Sequence, residues 1–178
     1  IPEQKVKATC IGIGEHLYLY VENSVLPMVN EIDTAEIIRV FDTKIYPNVQ
    51  RHFGSEWRPG LDRDLRITIL MHDVGRDRSA RDYAGYFSPA DQHLDASYSN
   101  QREMIYMDTY SFRDRSRWTF FSSLAHEFVH LVNWYQNGGR TDQRWLEEGM
   151  ASFSEWIIYQ KIHSIYVEGY LKNPTVSL

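Results

Sequence analysis

The chain has 178 residues, 43% of them hydrophobic, 14% aromatic and 24% charged, the composition of one globular domain or of two lobes sharing a core. Its formal net charge of −5, with no basic run, argues against nucleic acid or an anionic membrane surface as a primary partner. No apolar stretch approaches the roughly 20 residues of a membrane span, and the single cysteine, Cys10, excludes an internal disulfide and reads as a small buried hydrophobe.

No repeat or low-complexity tract interrupts the chain. Leu17, Leu19 and Val21 alternate with Tyr18 and Tyr20, which predicts a strand over Glu15–Val21. An amphipathic helix follows. Asp33 and Glu36 stand in capping-box spacing, Ile37, Phe41 and Ile45 recur every four residues, and Pro47 is expected to end or kink it. Arg66–Met71 and Glu103–Met107 read as short buried strands. Between them Asp73–Asn100 holds Asp73, Asp77, Asp82, Asp91 and Asp95 without the spacing of a calcium loop, and reads as solvated.

Two long helices come next. The first spans about Ser116 to Gln136 and stops at Asn137-Gly138-Gly139; the second opens after Thr141-Asp142 and runs to about His163. Trp118, Trp134, Trp145 and Trp156 fall on these helices and are expected in the core. Strands first and helices last predict an α+β domain, with a small mixed sheet packed on the first long helix.

That helix carries His126-Glu127-Phe128-Val129-His130. Residues four apart share a helical face, so both imidazoles can reach one ion while Glu127 flanks it. The HExxH arrangement supplies two neutral ligands and a carboxylate able to take a proton from an activated water. Shuffling this composition yields about 0.02 such matches per chain, so coincidence is a poor explanation. The remaining histidines, His16, His52, His72 and His93, stand alone and suit surface or hydrogen-bonded positions, while His163 suits a helix C-terminus.

A catalytic zinc site usually has three protein ligands. Trp145-Leu146-Glu147-Glu148-Gly149-Met150-Ala151 resembles the segment of gluzincin metallopeptidases that brings a glutamate ligand on a later helix, as in aminopeptidase N-like enzymes. The sequence also resembles the hyicolysin family of secreted bacterial gluzincins, over Gly14–Val21, Gly85-Tyr86-Phe87, Ser99-Asn100 and both long helices. The resemblance implies a zincin-like fold with an HExxH helix followed by a Glu-ligand helix. It implies Zn2+ held by His126, His130 and Glu148, with Glu127 as general base, acting on a peptide or protein substrate. Adjacent Glu147 points about 100° away from Glu148. Glu155, seven residues past Glu148 on the same face, is the candidate partner of a ligand's other ring nitrogen.

The Gly-x-Met-Glu-Asn run with which aminopeptidases hold a free amine is absent, which favours an endopeptidase over an exopeptidase. The rival class is a zincin-fold metal-binding or adhesion module without hydrolysis, against which Glu127 stands. In gluzincins a Tyr or His from the C-terminal lobe steadies the developing oxyanion, and Tyr159, His163, Tyr166 and Tyr170 are the candidates. Gly149–Leu178 is short for that lobe. The division expected is 1–137 as an N-terminal lobe and 138–178 as the start of a truncated C-terminal helical lobe. Glu103–Met107 is expected to be the edge strand that receives substrate. The resemblance, the acidic balance and a start at Ile1 without methionine suggest a processed protein, secreted or at the cell surface.

Overall fold

Alternation of apolar and polar side chains lays out the sheet. In the computed structural model, which describes residues 5–74, 84–114, 116–140 and 144–161, five strands are formed: β1 (Ala8–Ile13), β2 (Leu17–Glu22), β3 (Ile67–His72), β4 (Gly85–Phe87) and β5 (Met104–Asp108). They lie in the order β1-β2-β3-β5-β4. The inner three run parallel, and β1 and β4 close the two edges antiparallel. Leu17, Leu19, Val21, Ile67, Ile69, Met71, Ile105 and Met107 are buried on one face, against the helices. The other face carries a smaller cluster of Leu70, Met104 and Tyr106 with Tyr20 and Tyr86. The protein is thus a mixed α+β fold.

Parallel β2 and β3 require a crossover. It consists of α1 (Glu31–Val40), a π-helical turn (Phe41–Ile45) and α2 (Tyr46–Phe53). The capping box lies three residues earlier than the spacing of Asp33 and Glu36 suggested. Asn30 is the cap, its side chain accepting from Asp33 N at 2.9 Å while the Asp33 carboxylate accepts from Asn30 N at 3.1 Å. Asp33 is buried and also pairs with Arg117 at 2.6 Å and Arg113 at 3.2 Å, which ties the start of α1 to the later helices. Pro47 does not end the helix. Tyr46 N–H bonds Phe41 O in the wide turn, so the missing proline N–H falls at the start of α2, where no intrahelical partner is needed.

Three helices complete the fold: α3 (Thr109–Asp114), α4 (Arg117–Gln136) and α5 (Arg144–Tyr159). Ser116 caps α4, and Gly138 and Gly139 end it at φ of 61° and 78°, a left-handed exit that glycine adopts without strain. Phe120, Leu124, Phe128, Leu131 and Val132 of α4 are buried. Phe128 sits 5.3 Å from Phe41 and 5.6 Å from Tyr46, ring to ring. This bonds the middle of α4 to the crossover and leaves its other face for His126 and His130.

Several expectations need correction. Glu103–Met107 is not an edge: β5 (Met104–Asp108) is flanked by β3 and β4, and the edge beside α4 is β4. The stretch read as solvated holds that strand and a buried Asp91, which accepts from Tyr106 Oη at 2.6 Å and Asn100 Nδ2 at 2.8 Å; Asp77 and Asp82 lie outside the described residues. Cys10 is exposed, on the edge strand β1. Trp145 and Trp156 are 67% and 44% exposed, on a stripe of α5 that the core leaves uncovered. The structure describes α5 only to Tyr159, short of His163, which lies outside the described residues. His72 is half-buried, edge-on to Tyr86 and Tyr106, and its buried Nε2 finds no hydrogen-bond partner; desolvation lowers its pKa.

A Cβ at Gly85 would stand 2.5 Å from Met107 Sδ and 2.7 Å from Tyr106 O. Gly85→Ala is therefore expected to destabilise by about 1–3 kcal/mol, as overpacking does, lowering the denaturant midpoint at constant slope. An unchanged midpoint would mean that β4 can move off β5 freely.

Candidate metal centre

Helix α4 presents His126 and His130 one turn apart on the face that α5 covers. Glu155 meets His126 while Glu148, two turns earlier on α5, reaches both histidines, so α4 and α5 pass in opposite directions. His126 Nε2 and His130 Nε2 are 3.1 Å apart. Glu148 Oε2 lies 3.4 Å from the first and 3.7 Å from the second. Among the described residues these three form the one group of His, Cys, Asp and Glu side chains close enough to hold a metal ion.

The triangle tests whether an ion fits. Tetrahedral zinc with bonds of about 2.0–2.1 Å sets its ligand atoms about 3.3–3.4 Å apart, in the middle of the observed range. The proton bookkeeping agrees. His126 Nδ1 lies 3.1 Å from Glu155 Oε1; a carboxylate there accepts a hydrogen bond from Nδ1–H and, in the neutral ring, leaves Nε2 with a lone pair. That lone pair faces another imidazole nitrogen and a carboxylate oxygen, a donor set that suits a cation.

Electrostatics point the same way. Burial pushes the His126 pKa down, but hydrogen bonds donated to Glu148 and Glu155 and the charge of Glu127 outweigh it and hold it at about 10. Glu148, beside His126 and His130, is held well below the usual carboxylate range. A proton and a metal ion compete for these same atoms.

Glu127 points elsewhere. Its Oε2 accepts a 3.0 Å hydrogen bond from the backbone N–H of Phe87 on β4. Burial raises its pKa against the opposing pull of His126, His130 and this N–H. A carboxyl held above its ordinary range suits proton transfer near neutral pH. Glu147 is outside the group of His126, His130 and Glu148 and lines a groove with Phe53, Asn133, Gln136, Arg140 and Met150.

The other sequence candidates fall outside this cluster. Tyr159 lies eleven residues down α5 from Glu148, about 16 Å along the axis, with its hydroxyl buried and its ring beneath Lys44. His163, Tyr166 and Tyr170 lie outside the described residues. His16 stacks on Tyr46 at 3.7 Å, His52 is exposed, and His93 packs edge-on to Trp134. The contribution of Phe87 was missed because it comes from the backbone; the Gly85-Tyr86-Phe87 run was its only trace in the sequence.

These positions give distinct expectations for metal affinity in a competition titration. Glu148→Ala should remove most of it, Glu155→Ala should lower it about 10–100-fold by freeing the His126 ring, and Glu147→Ala should leave it largely unchanged. Equal losses for Glu147→Ala and Glu148→Ala would refute the assignment.

No family model matches the chain. The chain is similar to the neutral metalloprotease ShpI of Staphylococcus hyicus, at 32% identity over 149 aligned residues, covering 77% of this chain and 33% of that protein. It thus spans about a third of the length of this relative. The sequence is accordingly related to a metallopeptidase.

Proposed function

We propose that the chain is the zinc-binding part of a metalloendopeptidase of the gluzincin type, similar to the hyicolysin family. The observation that carries this reading is the triangle of His126 Nε2, His130 Nε2 and Glu148 Oε2, at 3.1, 3.4 and 3.7 Å, with Glu127 beside it. The relation to a metalloprotease supports it. So does the layering of a mixed sheet, an HExxH helix and a Glu-bearing helix, which suits a zincin-like arrangement.

In this reading His126, His130 and Glu148 hold the ion, and Glu155 fixes the tautomer and orientation of His126. Zinc, when bound, lowers the pKa of a water toward about 7 and polarises the substrate carbonyl. Glu127 accepts the proton as that water attacks, then delivers it to the leaving amine. An extended substrate adds to the edge of β4 rather than β5. Endopeptidase action is favoured because the amine-holding Gly-x-Met-Glu-Asn run is absent from the sequence. A metal-binding module without hydrolysis has no need of Glu127.

The decisive experiment is elemental analysis together with cleavage of an unfolded protein. The natural protein should bind one zinc per chain and lose activity to a chelator, with zinc restoring it. Glu127→Gln should keep the zinc and lose roughly 10²-fold or more in turnover. Full activity in Glu127→Gln, or absence of zinc, would overturn the proposal.

We place the protein outside the cell or at its surface, with 138–178 beginning a C-terminal lobe. Trp145, Phe153 and Trp156 line one exposed stripe of α5, an apolar surface of the kind that further chain covers. No helix among the described residues is long and apolar enough to cross a membrane. An open reading frame lacking any export segment ahead of Ile1 would rule out the location.

A further inference from the structure

We propose that the backbone N–H of Phe87 is a positioning group that aims the Glu127 carboxylate, so that β4 forms part of the catalytic apparatus as well as its wall. The inference rests on the reading of Glu127 as general base. Its argument begins with the ladder. Asp108 N–H bonds Ala84 O at 2.9 Å, and β4 pairs with β5 as Gly85↔Met107, Tyr86↔Tyr106 and Phe87↔Ile105. Hydrogen-bonded pairs alternate along antiparallel strands. Tyr86 therefore spends its backbone groups on β5, while the N–H of Phe87 turns to the outer edge. An edge N–H ordinarily goes to water. This one goes to Glu127 Oε2 at 3.0 Å.

The strand that donates it has little freedom to move. Gly85 lies against Met107 and the Tyr106 backbone too closely for any side chain. Tyr86 stacks on Tyr106 at 4.5 Å, and Tyr106 is anchored in turn by Asp91 at 2.6 Å and Asn100 at 2.8 Å. On the helix side the Phe87 ring packs against the core and lies 6.5 Å from Trp134, one turn beyond His130. The N–H is thus fixed from both faces of the sheet. With Oε2 held by this donor, the carboxylate plane is set and Oε1 is left to exchange a proton. A second consequence concerns substrate: a peptide adding to this edge finds the Phe87 N–H engaged, so Phe87 O and the backbone of Gly85 must carry its main-chain bonds.

The test compares Phe87→Pro with Phe87→Ala in the full-length protein. Both lose the ring, and only proline loses the N–H; at an edge position whose N–H faces outward, proline breaks no ladder bond. The proline variant is expected to show kcat at least 10-fold below the alanine variant, with KM within about 3-fold and zinc content equal. Equal kcat in the two would overturn the proposal. A second measurement stands apart from activity and from the folding of the proline variant. In 15N-labelled protein the Phe87 amide should exchange with solvent at least 10-fold faster in Glu127→Ala than in the unsubstituted chain. Unchanged exchange would overturn the tether, whether or not the protein hydrolyses peptides. Faster exchange in a protein that cleaves nothing would uphold the tether and sink the peptidase reading instead.

Discussion

Two imidazole nitrogens and a carboxylate oxygen, each within 3.7 Å of the others, form an arrangement that a folded chain does not adopt without a reason to do so. Lone pairs repel at such distances unless a positive charge lies among them. The fold holds them there by rigid means. His126 and His130 stand on one face of a helix whose other faces are anchored by Phe120, Leu124, Phe128 and Val132. Glu148 and Glu155 stand two turns apart on α5, so one packing contact between α4 and α5 brings both carboxylates to the histidines. Displacing α5 by one turn would lose both together.

The sheet contributes in a different manner. Its inner strands are hydrophobic on the helix side and serve as a platform for α4. The edge strand β4 is only three residues long, yet it lies where the metal face of α4 meets the sheet. Its antiparallel direction lets an outward N–H reach Glu127. Short edge strands are also a common defence against unwanted pairing.

What the sequence made legible follows the range of each signal. The HExxH face is local: a spacing of four fixes it, and α4 forms between Ser116 and Asn137-Gly138-Gly139 as the capping residues predict. The strands β2, β3 and β5 were readable within two residues from Glu15–Val21, Arg66–Met71 and Glu103–Met107. β1 was not, since Ala8-Thr9-Cys10-Ile11-Gly12-Ile13 alternates weakly and is mostly exposed or half-buried. β4 was too short to register. The order of strands is non-local, and that is why Glu103–Met107 was mistaken for an edge. Trp145 and Trp156 show the same limit, since nothing local to a tryptophan tells which side of a helix will be covered.

The clearest physical distinction in the molecule is between two glutamates. Glu148 is half exposed, 49% for its side chain, and faces two imidazoles that keep it ionised. Glu127 is half-buried, accepts from one backbone N–H, and is pushed the other way by burial of its carboxyl. Two carboxyls about one site with pKa values driven apart are the usual sign of a division between a charged role and a proton-carrying one. Had Glu127 been set among the imidazoles, it would be held ionised and would be a poor proton donor to a leaving amine. Had Glu148 been buried against β4, it would be a poor anionic ligand. The difference is made by a single helix register: Glu127 follows His126 by one residue, turns about 100° toward the sheet, and meets Phe87 instead of the metal face.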